Sequence, residues 1–157
     1  RVSRGTAMPL IHHRPQTGLE GKFSMEYCLA AALLDGTVKL SSFSDEAVQR
    51  PEAQDLLQRV EMTEEGEERE GPIGGTATVA LTLDDGSRHS QRADIPRGDP
   101  RAPFTWDELA AKFRDCAAAV LSSEATARCL EIVSNLEAAP DIRQLMDIVC
   151  LVPVRSP

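Results

Sequence analysis

The stretch from His12 to Gly36, HHRPQTGLEGKFSMEYCLAAALLDG, decides how the rest of the chain is read. Its first half is basic and loop-like, with His12, His13, Arg14, Pro15, Gly18, Gly21 and Lys22. Its second half carries helix signals at both ends. Ser24 is an N-cap whose hydroxyl accepts a first-turn N–H, Phe23 can pack on that turn, and Gly36 suits the left-handed residue that closes a helix. Met25, Cys28, Leu29, Ala32 and Leu33 fall on one stripe at helical spacing, the expected core face. Tyr27, Ala30, Ala31 and Leu34 make the opposite side hardly more polar. A helix apolar nearly all round needs cover from two directions. The second side is therefore expected to face something outside the domain's own core, with the Tyr27 hydroxyl at the rim of that interface.

Outward toward the N-terminus, Arg1-Val2-Ser3 reads as the tail of a strand, followed by loop structure punctuated by glycine and proline. Residues 1–22 hold Arg1, Arg4, Arg14 and Lys22 against Glu20 alone, a local basic surplus in a chain of net charge −8. That overall charge argues against nucleic acid or an anionic membrane as partner. No apolar run approaches spanning length. The four cysteines, Cys28, Cys116, Cys129 and Cys150, lack ligand spacing. They are expected to be reduced, buried thiols of a cytoplasmic protein, with no metal or cofactor bound. The length fits a single domain over residues 1–157.

Outward toward the C-terminus, Ser44 caps a short helix with Asp45 and Glu46 in its first turn, and Pro51 opens another. Val60 to Thr63 is a candidate short strand. The acidic run from Glu64 to residue 72 offers no apolar side chain and is expected to be mobile. Ala77, Val79, Leu81 and Leu83 then alternate with polar and small residues, which predicts a strand. A three-residue turn with Gly86 left-handed returns the chain so that Thr82 pairs with Arg88, Ala80 with Ser90 and Thr78 with Arg92. A two-residue turn would place arginines on the face of Val79 and Leu81, so the longer turn is preferred. Thr105 and Glu108 form a capping box opening a helix whose stripe is Leu109, Phe113, Cys116 and Val120. Two further helices follow, about residues 124–137 and from Asp141 onward. The sum is an α+β fold: a two-layer sandwich, with an antiparallel sheet built on a β-hairpin and helices packed on one face.

Several side chains in the opening stretch suit carboxylate chemistry. Tyr27 can donate a proton from the first turn of the helix. Arg14 can grip a carboxylate with its planar fork, and Lys22 can act as a point charge. Against this, Lys22 and Glu20 make an ordinary surface pair. His13, with His12, can titrate near neutrality, although adjacent loop histidines are commonly just solvent-exposed.

The segment RPQTGLEGKFSMEYCLAAALLDG strongly resembles the MmgE/PrpD family of 2-methylcitrate dehydratases, cis-aconitate decarboxylases and iminodisuccinate epimerases. SFSDEAV with the following Pro51, the run from Pro96 to Pro100, and TWDELAAKF from Thr105 agree in order. The resemblance implies the smaller, C-terminal domain of such an enzyme, without the all-helical N-terminal domain that carries most of the acid–base groups. It implies a cofactor-independent lyase or isomerase, 2-methylcitrate dehydratase-like and placed in propionate metabolism. The substrate would be a small di- or tricarboxylate. Tyr27 would then border the active site as a catalytic group, with Lys22, Arg14 and His13 binding substrate. The expected partners are the missing helical domain and a second copy in a homodimer. The rival expectation is a non-catalytic docking or dimerisation module that keeps the fold.

Overall fold

The computed structural model describes residues 1–68 and 75–150. It divides into two compact units, the first spanning Arg1–Pro103 and the second beginning at Phe104. In the first unit β1 (Val2–Arg4) leads through the basic loop to α1 (Gly18–Gly21) and α2 (Met25–Asp35). A 3-10 turn at Leu40–Phe43, α3 (Asp45–Val48) and α4 (Pro51–Leu57) follow, then β2 (Glu64–Glu68), β3 (Ala77–Thr82) and β4 (Arg88–Ala93). The fold is mixed α+β, with a four-stranded sheet in the order β2-β1-β3-β4.

Helix α2 has the ends its sequence demands. The Ser24 hydroxyl accepts from the Tyr27 N–H at 3.2 Å, and Gly36 sits at φ 70°. Its two faces are the reverse of the expected ones. Tyr27, Ala30 and Ala31 are fully buried and form the unit's own core with Val48, Ala53 and Leu57. Met25, Cys28, Leu29 and Ala32 are only partly covered, and Leu33 is 48% exposed. The expectation that the Tyr27 side faces an external partner is therefore overturned for Tyr27, Ala30 and Ala31, while Leu34, at the far end of that side, is 41% exposed. Small side chains at positions 30 and 31 do admit a close neighbour, but that neighbour is α4 of the same unit. The bidentate pair from Arg50 to Asp35, at 2.9 and 2.7 Å, ties the end of α2 to the start of α4.

The hairpin keeps the expected register. Thr82 pairs with Arg88, Ala80 with Ser90 and Thr78 with Arg92. Gly86 stands at φ 83° in the Asp84-Asp85-Gly86 turn. Other strand expectations fail. Residues 60–63 form no strand, whereas the acidic Glu64–Glu68, expected to be mobile, is β2. It pairs in parallel with β1, the one parallel pair in a sheet expected to be antiparallel. The reason is backbone pairing: every β2 side chain is exposed, so its carboxylates stay solvated while its main chain hydrogen-bonds. Arg1 reaches Glu65 at 3.2 Å and the Ala7 N–H donates to Glu64 at 2.8 Å, adding local support. The rest of the expected mobile run, residues 69–72, lies outside the described residues.

The second unit is helical, with α5 (Trp106–Ala117), α6 (Ser123–Ser134), a 3-10 turn at Leu136–Ala138 and α7 (Arg143–Val149). The Thr105–Glu108 capping box forms as read. The stripe expected to be core does not close: Leu109 is 45% and Val120 59% exposed, and Cys116 is exposed. Burial on α5 falls instead on Ala110 and Ala117. All four cysteines are free. Only Cys129 is fully buried, which corrects the expectation of four buried thiols. No helix among the described residues is long and apolar enough to cross a membrane.

Candidate active-site loop

The basic loop is held from beneath by polar side chains of α3 and α4. The Gly18 N–H donates to Asp45 at 2.7 Å, and Gln49 donates to the Gln16 carbonyl at 2.9 Å. The Gln54 amide donates to the Pro15 carbonyl at 3.0 Å and to that of Val48 at 2.8 Å. Gly18 permits this approach, because a Cβ there would lie 1.8 Å from the Phe43 carbonyl oxygen. At Gly21 a Cβ would meet the Val48 side chain at 2.9 Å and the Tyr27 ring at 3.1 Å. The glycines of this stretch therefore serve close packing of the loop on the helices.

The cations lie on the outer side. Arg14 and Lys22 are exposed, and neither joins an ion pair among the described residues. The surface pairing of Lys22 with Glu20 does not form. Glu20 instead accepts from the Gln16 N–H at 2.7 Å, closing the turn that starts α1. The loop is thus rigid on its inner side and charged on its outer side. Such an arrangement loses little conformational freedom when it takes up an anion.

Tyr27 is not at a rim. It has no solvent exposure, its hydroxyl donates to the Ser42 carbonyl, and its ring packs edge-on against Phe43 at 6.2 Å between centroids. Burial pushes its pKa above the ordinary tyrosine value, with the Arg50 charge opposing that rise. The phenol is therefore a proton donor near neutrality, and its donor is engaged within the unit.

His13 has the partner that the sequence did not reveal. Its Nδ1 lies 2.8 Å from Glu26 Oε1, and the Glu26 side chain is 10% exposed against 67% for His13. The other Glu26 oxygen accepts from the Ser24 hydroxyl at 3.5 Å. The His12 N–H donates to the Phe23 carbonyl at 3.2 Å, which fastens this part of the loop to the start of α2. The structure thus brings His13 to α2, anchors the segment between Arg14 and Lys22, and buries Tyr27 beneath it. Sequence reasoning missed Glu26, Asp45, Gln49, Gln54 and Ser42. For Glu26 a signal existed: a lone carboxylate in the first turn of an otherwise apolar helix, next to a basic loop.

The model of the MmgE/PrpD C-terminal domain matches residues 2–138, most of the chain. The chain belongs to this family. The match runs through the first unit and into the second. Human cis-aconitate decarboxylase is 31% identical over 127 residues, covering 81% of this chain and 26% of that protein. The mouse cis-aconitate decarboxylase is 28% identical over the same shares. Cis-aconitate decarboxylase of Aspergillus terreus is 29% identical over 147 residues, 92% of this chain and 30% of that protein. This MmgE/PrpD chain therefore spans about a quarter to a third of the length of the curated relatives it matches. Among its described residues no group of three or more His, Cys, Asp or Glu side chains converges as metal ligands.

Proposed function

We propose that this MmgE/PrpD chain supplies one wall of the active site of a cofactor-independent, cytoplasmic lyase acting on a small di- or tricarboxylate. The observation that carries the reading is the anchored loop whose exposed Arg14 and Lys22 meet no counter-ion among the described residues, in a chain of net charge −8. Cations held this way suit a substrate with several carboxylates and stabilise charge that develops when a proton or carbon dioxide leaves. The decarboxylase relatives favour cis-aconitate as the first substrate to test. Dehydration of 2-methylcitrate, with a place in propionate metabolism, is the other candidate reaction.

Tyr27 is the proposed proton donor of this wall. That role requires its hydroxyl to leave the Ser42 carbonyl when substrate or a covering domain arrives. The test is turnover of the intact gene product with cis-aconitate, 2-methylcitrate, citrate and iminodisuccinate, for wild type, Arg14→Gln, Lys22→Gln and Tyr27→Phe. Turnover of one of these, with KM raised in the two cation variants, supports the reading. A fall of roughly 10²-fold in kcat for Tyr27→Phe supports the donor role. Wild-type turnover in that variant makes it a packing residue. Absence of turnover on every substrate sinks the lyase.

The non-catalytic alternative, a docking or dimerisation module, is favoured by an open apolar groove of about 300 Å³ between α5, α6 and α7. Trp106, Leu109, Val133 and Met146 line it and are each at least 40% exposed. A helical partner domain or a second copy in a homodimer are the two occupants to distinguish. Sedimentation of the isolated chain separates them, since only the homodimer gives a mass that rises with concentration.

A further inference from the structure

Among the described residues the pairing of His13 with Glu26 differs from most exposed charged pairs and shares its form with Arg101–Asp99, where an exposed guanidinium meets a largely buried carboxylate. Arg1–Glu65, Arg92–Asp94 and Arg128–Glu131 join two solvent-exposed partners. In His13–Glu26 a mostly exposed imidazole is held by a nearly buried carboxylate, at 2.8 Å. That carboxylate stands in the first turn of α2, and its second oxygen takes the hydroxyl of the buried cap Ser24. An ionised carboxylate only accepts hydrogen bonds, so this contact calls for a proton on Nδ1, and in the neutral imidazole that leaves the lone pair on Nε2. Among the described residues Nε2 has no hydrogen-bond partner. A base oriented by a carboxylate behind it, with its second nitrogen free, is the arrangement that proton-transferring histidines use.

The geometry points to His13 as a proton-transfer group of this wall and to Glu26 as the residue that positions it. This assignment rests on the lyase reading above. In the step it implies, the Nε2 lone pair takes a proton from the carbon beside a substrate carboxylate. The N–H bond forms as the C–H bond breaks, and the C–H electron pair spreads into that carboxylate as its enolate. The imidazolium is then held against Glu26. In a decarboxylation the imidazolium form acts instead: as the C–C bond breaks and carbon dioxide departs, the electron pair left on carbon takes the proton from Nε2–H, and the neutral imidazole then regains a proton from solvent. Arg14, next to His13 in the loop, and Lys22, next to the Phe23 whose carbonyl accepts from the His12 N–H, supply the positive charge that the enolate needs.

The experiment compares kcat and KM of the intact gene product with cis-aconitate for wild type, Glu26→Gln, His13→Gln and the double variant. Thermal melts confirm folding in each. Each single change is expected to lower kcat roughly 10²-fold while KM stays within about 2-fold. The double variant should lose no more than His13→Gln alone, since the two act as a unit. Full kcat in Glu26→Gln overturns the assignment. A rise in KM alone also overturns it, since His13 would then only bind. If the wild type turns over none of the polycarboxylates, the lyase reading is what fails. The dyad is then judged from the imidazole ¹⁵N shifts: an Nδ1–H tautomer that disappears in Glu26→Gln upholds the positioning, and an Nε2–H tautomer in wild type refutes it.

Discussion

Helices α2 and α5 belong to different units, and their sequences suggest opposite fates. Helix α5 carries charges along one side and apolar residues along the other, the pattern of a helix meant to lie on a core. Helix α2 is apolar nearly all round. Yet α2 has the sealed face, with Tyr27, Ala30 and Ala31 fully buried, while α5 leaves Trp106 and Leu109 nearly half exposed. What differs is side-chain size. The buried face of α2 is built on alanines, so α4 comes close, and Val48, Ala53 and Leu57 fill the remaining space around one tyrosine. The face of α5 is built on large side chains that its two neighbours, α6 and α7, do not cover. An apolar stripe shows that a helix needs cover; the size of its side chains decides whether two or three short helices provide it.

The sharpest way to break this comparison is truncation on both sides of it. Leu57→Ala should destabilise the first unit by about 2–5 kcal/mol, the range for a fully buried leucine. Leu109→Ala should cost the second unit below about 1 kcal/mol, because the side chain is already half in water. The chain carries a natural probe for each: its only tyrosine lies in the first unit and its only tryptophan in the second. Urea unfolding followed by Tyr27 and by Trp106 fluorescence reads the two effects separately. Equal losses would end the distinction.

Next in size is Tyr27→Phe, expected to cost about 1–3 kcal/mol by leaving the Ser42 carbonyl without its donor. It also carries a pH signature. The folded-state pKa is raised, so the tyrosine's contribution is complete below the unfolded value of about 10 and is lost as pH climbs from there through the folded value. Denaturation midpoints by circular dichroism should fall above that pH in wild type and fall less in Tyr27→Phe. Parallel decline in both would detach the alkaline loss from this hydroxyl.

Gly86→Ala should cost about 1–2 kcal/mol, from the left-handed backbone alone, since nothing lies within 4 Å of the added Cβ. A thermal melt showing no change would mean that the hairpin turn is free to rearrange. The smallest effect is Asp35→Asn at the clasp between α2 and α4. Hydrogen bonding from Arg50 lowers the Asp35 pKa, so the pair's contribution is present above the unfolded value of about 3.9 and fades as pH falls through the folded one. The gap between wild-type and variant melting temperatures should be small at neutral pH and should close in acid. A gap that persists there would assign the effect to packing.

Local chemistry was legible along the chain. Ser24 and Gly36 bound α2, Thr105 and Glu108 open α5, and the alternation from Ala77 to Leu83 sets the hairpin register. Each depends on residues within a few positions of one another, and a single wrong step would leave a backbone group unsatisfied or turn a face over. The motifs also pointed to the MmgE/PrpD family and to the loop carrying His13, Arg14 and Lys22, because loop cations and glycines stand out against an acidic chain. What lay beyond the sequence were choices between faces and partners across a distance. Periodicity put Tyr27, Ala30 and Ala31 together but could not tell which apolar side α4 would take. Composition made Glu64–Glu68 a loop, because the backbone bonds that β1 offers it leave no mark on its side chains. Glu26 looked like one more charge at a helix start; only the folding back of the loop placed His13 2.8 Å from it. A carboxylate's role depends on which side chains the tertiary structure brings directly against it, and here that side chain comes from 13 residues away in the sequence.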